Sequence, residues 1–124
     1  MEIKLVKEIN DTSRWGYDKT ITIYVDGDEA GFIAIQEGLE GEGYIEYVEI
    51  FDKYKGEGYC NMLLISYYNM LLISCFTMFD IIDLRSDNRN ENSNPICQHW
   101  TRNEDLGTKD DVRITLDEGK LMFD

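Results

Sequence analysis

Between Gly58 and Phe79 the chain carries no charged residue, although 30% of its residues are Asp, Glu, Lys or Arg. A stretch of that length belongs either in a bilayer or inside a folded core, because 18 or more largely apolar residues suffice to cross hydrocarbon. Asn61, Ser66, Asn69 and Ser74 interrupt it, and no Lys/Arg asymmetry flanks it. Each polar group is costly in lipid, so burial in protein as a helix followed by a strand is the expectation. Within the stretch, Asn61-Met62-Leu63-Leu64-Ile65-Ser66 recurs from Asn69 to Ser74. The offset of eight residues is about 2.2 helical turns, so one long helix over 59–75 is expected to present both copies to a similar side. Residues 77–84 then read as a buried strand.

The rest of the chain must build a sheet for that helix to cover. Residues 2–9 alternate imperfectly and read as a strand, 10–19 as a polar loop. Residues 20–25 and 30–36 are dense in β-branched and aromatic types around Asp26-Gly27-Asp28-Glu29, a hairpin signature. Three glycines and three acids in residues 37–43 predict a loop. Residues 44–51 predict a central strand, with Tyr44, Glu46, Val48 and Ile50 on one face and Ile45, Tyr47 and Glu49 on the other. Asn94-Pro95 caps a second helix over 96–106 that Gly107 stops, and 112–116 with 120–123 close the chain as a hairpin. The expected order is β-β-β-β-α-β-α-β-β, and at 124 residues it fills a single domain, 1–124.

Charge narrows the function. Twenty-five acidic against 12 basic residues give a net charge of -13, which repels nucleic-acid phosphates and anionic headgroups. Neither direct nucleic-acid binding nor a membrane is expected. The same field attracts a cationic partner such as a lysine-rich protein, a polyamine or an amino sugar, and it also serves solubility. Cys60, Cys75 and Cys97 are odd in number and fall in helical segments, which fits reduced thiols rather than a secreted disulfide framework. Met1-Glu2-Ile3-Lys4 opens directly into a strand pattern with no apolar signal region. A cytoplasmic protein is expected.

The chemistry concentrates where the central strand meets the helix. There the chain reads Lys55-Gly56-Glu57-Gly58-Tyr59-Cys60. A glycine turn opening into a helix gathers backbone N–H groups and the positive end of the helix dipole, which suits a pyrophosphate. Other chemistries lack their residues. One histidine and no Cys-x-x-Cys leave too few zinc ligands, and no Gly-x-x-x-x-Gly-Lys-Ser/Thr turn is present for a nucleoside triphosphate. Cys97 and His99 stand two apart on the expected helix and point nearly opposite ways, a poor nucleophile and base pair.

This turn resembles the coenzyme A turn of the GNAT superfamily of N-acetyltransferases, Arg/Gln-x-x-Gly-x-Gly/Ala between the fourth strand and third helix. Lys55, Gly58 and Cys60 occupy the three defining positions, Gly58 being the strict match. Val48-Glu49-Ile50 looks like the family's apolar strand end, and residues 26–33 like its second hairpin. Asn94-Pro95-Ile96-Cys97-Gln98-His99-Trp100 is similar to its later helix start. The resemblance implies an α/β (α+β) fold: a mixed, mainly antiparallel twisted sheet around a coenzyme-binding strand-turn-helix, with the family's first two helices missing or reduced. It also implies acetyl-CoA as cosubstrate, bound by Val48, Ile50, Lys55, Gly56, Glu57, Gly58, Tyr59, Cys60, Asn94 and Trp100.

The implied reaction is direct attack of a primary amine, plausibly a lysine of a basic protein, on the thioester. An amine of pKa about 10.4 is neutral only about once in 2,500 at pH 7, so a base or water relay must remove its proton. Glu46 is the first candidate, Glu49 the second and Asp83 the third. The thioester oxygen needs a donor, which the resemblance assigns to a backbone N–H around Ile50. Trp100 stands where relatives carry a tyrosine that protonates the departing thiolate; His99 adjoins it, and Tyr67 and Tyr68 are remote candidates. The ten residues between the first two strands cannot wall the acceptor site. That favours a macromolecular amine, or a partner subunit in a homodimer. The second reading is a non-catalytic acidic protein of the same fold, an inhibitor or nucleic-acid mimic acting on a basic partner.

Overall fold

The computed structural model describes residues 2–9, 17, 19–51, 62–84 and 112–123. Seven strands form one sheet whose spatial order follows the chain: β1 (Ile3–Ile9), β2 (Lys19–Val25), β3 (Asp28–Glu37), β4 (Glu42–Ile50), β5 (Ile81–Leu84), β6 (Val112–Asp117) and β7 (Lys120–Phe123). Every neighbouring pair is antiparallel except β4 and β5, which run parallel and are connected through helix α1 (Met62–Cys75). The mixed, mainly antiparallel α+β architecture expected from sequence is present. The described elements run β-β-β-β-α-β-β-β, which differs from the expected order by the helix over 96–106; that segment lies outside the described residues.

Turn chemistry explains the two tight hairpins. Asp26 (φ 51°) and Gly27 (φ 86°) join β2 to β3, and Glu118 (φ 49°) and Gly119 (φ 80°) join β6 to β7. Two consecutive positive φ values match the right-handed twist of the flanking strands, and glycine takes the second position without a Cβ penalty.

α1 lies against β2, β3 and β4. Its Leu64, Tyr67, Tyr68, Leu71, Leu72 and Cys75 are buried in one cluster with Ile21, Ile23, Ile33, Ile35, Ile45, Val48 and Ile50. The two copies of the six-residue repeat are not equivalent. An offset of eight residues leaves a rotation of about 80°, so Leu64 and Leu72 are both buried whereas Leu63 is exposed and its counterpart Leu71 is not. On the opposite face of the sheet Thr20, Thr22, Phe32 and Ala34 are also buried. Among the described residues no helix is long and apolar enough to cross a membrane.

Three boundaries differ from the sequence reading. β3 extends through Glu37 and β4 begins at Glu42, so the expected 37–43 loop shrinks to 38–41. It is closed by Gly38 N–H donating to the Glu42 carbonyl at 2.9 Å and Glu42 N–H to that of Leu39 at 2.8 Å. β5 begins at Ile81 rather than 77, because Thr77 and Met78 close the end of α1 through N–H bonds to the Ser74 and Cys75 carbonyls. The face assignment of β4 is corrected as well. Ile45 pairs with Ile35 and Tyr47 with Ala34, leaving Glu46 as the extra residue of a β-bulge. A bulge shifts the side-chain alternation by one. Val48 and Ile50 therefore share the α1 face with Ile45, not with Tyr44 and Glu46.

Candidate functional site

The bulge and the ladder of β4 decide what its far end can do. Phe51 N–H donates to the Ala30 carbonyl at 2.7 Å, which makes Gly31–Ile50 a non-hydrogen-bonded pair of the β3–β4 ladder. By alternation Glu49 and Tyr47 exchange backbone bonds with β3, and Val48 and Ile50 turn their N–H and C=O groups toward the β5 side. Among the described residues β5 pairs with β4 at Glu42, Gly43 and Tyr44, and no strand partners Val48 or Ile50 on that side.

Tyr68 of α1 reaches the end of β4. Its hydroxyl accepts the Ile50 N–H at 3.2 Å in a buried setting. The amide that the sequence reading gave to a thioester oxygen is thus bonded to a side chain of α1. A Tyr–Tyr pair on an uncharged helix was the available signal for this role. The pairing with Ile50 was not readable, because it depends on how α1 crosses the sheet.

The other face of β4 is aromatic. Tyr47 stacks on Phe32 with ring centroids 5.4 Å apart and on Tyr17 at 6.4 Å, and Phe51 lies 6.5 Å from Phe32. Glu49 belongs to this face and accepts a hydrogen bond from the Tyr47 hydroxyl at 3.0 Å. A carboxylate at the end of an aromatic row offers an amine both a charge partner and a flat apolar wall. The close β3–β4 approach that builds the row needs Gly31, where a Cβ would collide with the Glu49 carbonyl oxygen.

The sequence candidates are therefore only partly brought together. Val48, Ile50 and Tyr68 meet at the end of β4, and Glu49 sits one residue from Ile50 on the opposite face. Glu46 is the bulge residue and does not share their face. Asp83 pairs in register with Tyr44 at the joined end, roughly 20 Å along the strand from Ile50. There its carboxylate lies 3.5 Å from Arg113, which also reaches Glu42 at 3.5 Å. This register and ion pairing place Asp83 away from the end of β4. Lys55, Gly56, Glu57, Gly58, Tyr59, Cys60, Asn94, His99 and Trp100 lie outside the described residues. α1 has no acidic residue in its first described turn, so no carboxylate there competes for the positive end of the helix.

Two further features are separate from the end of β4. Cys75 is a buried free thiol whose Sγ donates to the Leu71 carbonyl at 3.3 Å, and burial pushes its pKa far above the usual thiol range. A concavity of about 370 Å³ lined by Glu2, Lys4, Val6, Tyr24 and Gly27 lies along β1 and β2. Among the described residues no group of three or more His, Cys, Asp or Glu side chains could hold a metal ion. In comparisons with known proteins, no family model and no curated protein matches the chain.

Proposed function

We propose that the chain is an acetyl-CoA-dependent N-acyltransferase that acetylates a primary amine, plausibly a lysine of a basic protein. One observation carries this reading: at the end of β4 the Ile50 N–H turns away from β3 and meets Tyr68 of the crossover helix that leads to the parallel strand β5. Backbone groups directed this way can bond the amides of an extended pantetheine arm and deliver its thioester to the end of β4. Lys55 to Cys60, which lie between β4 and α1 in sequence, are where the coenzyme's phosphates are expected.

The residues divide the work as follows. Ile50 N–H bonds the thioester oxygen as negative charge grows on it, in place of the Tyr68 hydroxyl. Glu49, directly or through a water, takes the proton from the attacking amine while the aromatic row holds the amine's carbon chain. The amine nitrogen forms the new N–C bond, the C–S bond breaks, and the sulfur leaves with the electron pair. The displaced Tyr68 hydroxyl supplies that sulfur with a proton and is reprotonated from solvent. This assigns to α1 the role that Trp100 cannot fill. The charge of -13 draws a basic acceptor to the site.

The second reading is a non-catalytic acidic binding protein of the same fold. The Tyr68–Ile50 bond favours it, because the amide required for catalysis is bonded to a side chain of the protein itself. Incubation with acetyl-CoA and polylysine, followed by free-thiol release and mass spectrometry, separates the two. Acetylated lysine formed in step with thiol supports the transferase. Coenzyme binding with neither product supports the binding protein.

A further inference from the structure

We propose that β7 is a self-association edge, two copies of the chain pairing antiparallel through β7 about a two-fold axis at Met122. Among the described residues β7 has a strand neighbour on one side only, β6. Asp117 and Lys120 flank the two-residue turn Glu118-Gly119, so they form a hydrogen-bonded pair of the β6–β7 ladder. By alternation Met122 exchanges backbone bonds with Thr115, and Leu121 and Phe123 direct their N–H and C=O groups away from β6.

This parity limits how a second copy can dock, because a ladder forms only where outward-directed residues face each other. Turning about Met122 sets Leu121 opposite Phe123 on both sides of the axis, which engages the outward groups of both residues in both copies. Turning about Leu121 sets Leu121 against itself and leaves Phe123 opposite Gly119 of the turn. Turning about Phe123 carries Leu121 past the end of the strand. The register about Met122 is thus the one that satisfies the edge.

The occupant is a second copy because the edge is complementary to itself. Leu121 and Phe123 are half-buried against the core, so when they face each other across the axis the core of one copy continues into the next. Met122 lies on the other face of the sheet, 48% exposed, and meets its own symmetry mate. Sheet edges are usually guarded by several charges, a proline or a bulge. β7 carries Lys120 and then three apolar residues in a row. In a chain of net charge -13, the paired segments bring no carboxylate against another. The pairing does not depend on the transferase reading.

Sedimentation equilibrium of the full chain tests the proposal on the parent, on Met122→Lys, on Met122→Glu and on an equimolar mixture of the two variants. The parent is expected to be a dimer. Each variant alone sets like charges against each other on the axis and weakens the dimer about tenfold or more, with circular dichroism unchanged because Met122 is exposed. The mixture restores the dimer, since opposite charges then meet on the axis. A monomeric parent, dimers that persist in both variants, or a mixture that stays monomeric overturns the proposal. A Met122→Glu protein that associates more tightly than the parent moves the axis to Leu121, where position 122 faces Lys120, and overturns it too.

Discussion

The hydroxyl of Tyr68 stands 3.2 Å from the amide nitrogen of Ile50 and accepts its proton in the core, linking the middle of α1 to the last residue of β4. Removing that oxygen has separable effects. Tyr68→Phe leaves a buried N–H unsatisfied and is expected to cost about 1–3 kcal/mol in urea unfolding. On the transferase reading it also lowers kcat on the order of 100-fold without weakening coenzyme binding, because the lost group acts on the leaving sulfur. A stability loss with unchanged kcat would restrict Tyr68 to structure.

Glu49 and Glu46 are three residues apart in their consequences although they read alike in sequence. Glu49 ends the aromatic row and is bonded to Tyr47, whereas Glu46 is the bulge residue. Glu49→Gln is expected to reduce kcat/KM for amine transfer on the order of 100-fold with stability little changed. Glu46→Gln is expected to stay within a few-fold. Steady-state kinetics on both variants decides, and the reverse ranking would return the base to the bulge.

Gly31 lets β3 and β4 approach at the level of Ile50, because a Cβ there meets the Glu49 carbonyl and the Ile50 backbone. Gly31→Ala is expected to destabilise by about 1–3 kcal/mol through backbone displacement. The displaced strand end would also weaken coenzyme binding. Chemical denaturation and calorimetry on the same sample test both effects.

Cys75 holds its proton more tightly folded than unfolded, since burial raises its pKa. Its contribution is complete below the unfolded thiol value of about 8.5 and is lost as pH rises above it, by about 1.4 kcal/mol per pH unit. The parent should therefore lose stability over that alkaline range faster than Cys75→Ala. The native thiol should also resist alkylation at neutral pH until the chain unfolds.

Much of the frame was legible in residue patterns. Asp26-Gly27 announced its hairpin, the uncharged run announced a buried helix, and the β-branched segments announced their strands. The bulge was legible only in part: the buried positions Ile45, Val48 and Ile50 are spaced three and then two, and a strict period of two hid that break. The Tyr68–Ile50 bond was not legible. It arises from how a helix crosses the sheet, which no local spacing encodes.

The central claim is that the end of β4 and the turn after it hold coenzyme A. Isothermal titration with CoA and acetyl-CoA, on the parent and on Gly58→Glu, tests it most directly. The account predicts saturable binding of both ligands by the parent, and loss of binding in a Gly58→Glu protein that remains folded. No heat of binding by the parent at millimolar ligand, or equal affinity in the variant, would contradict it.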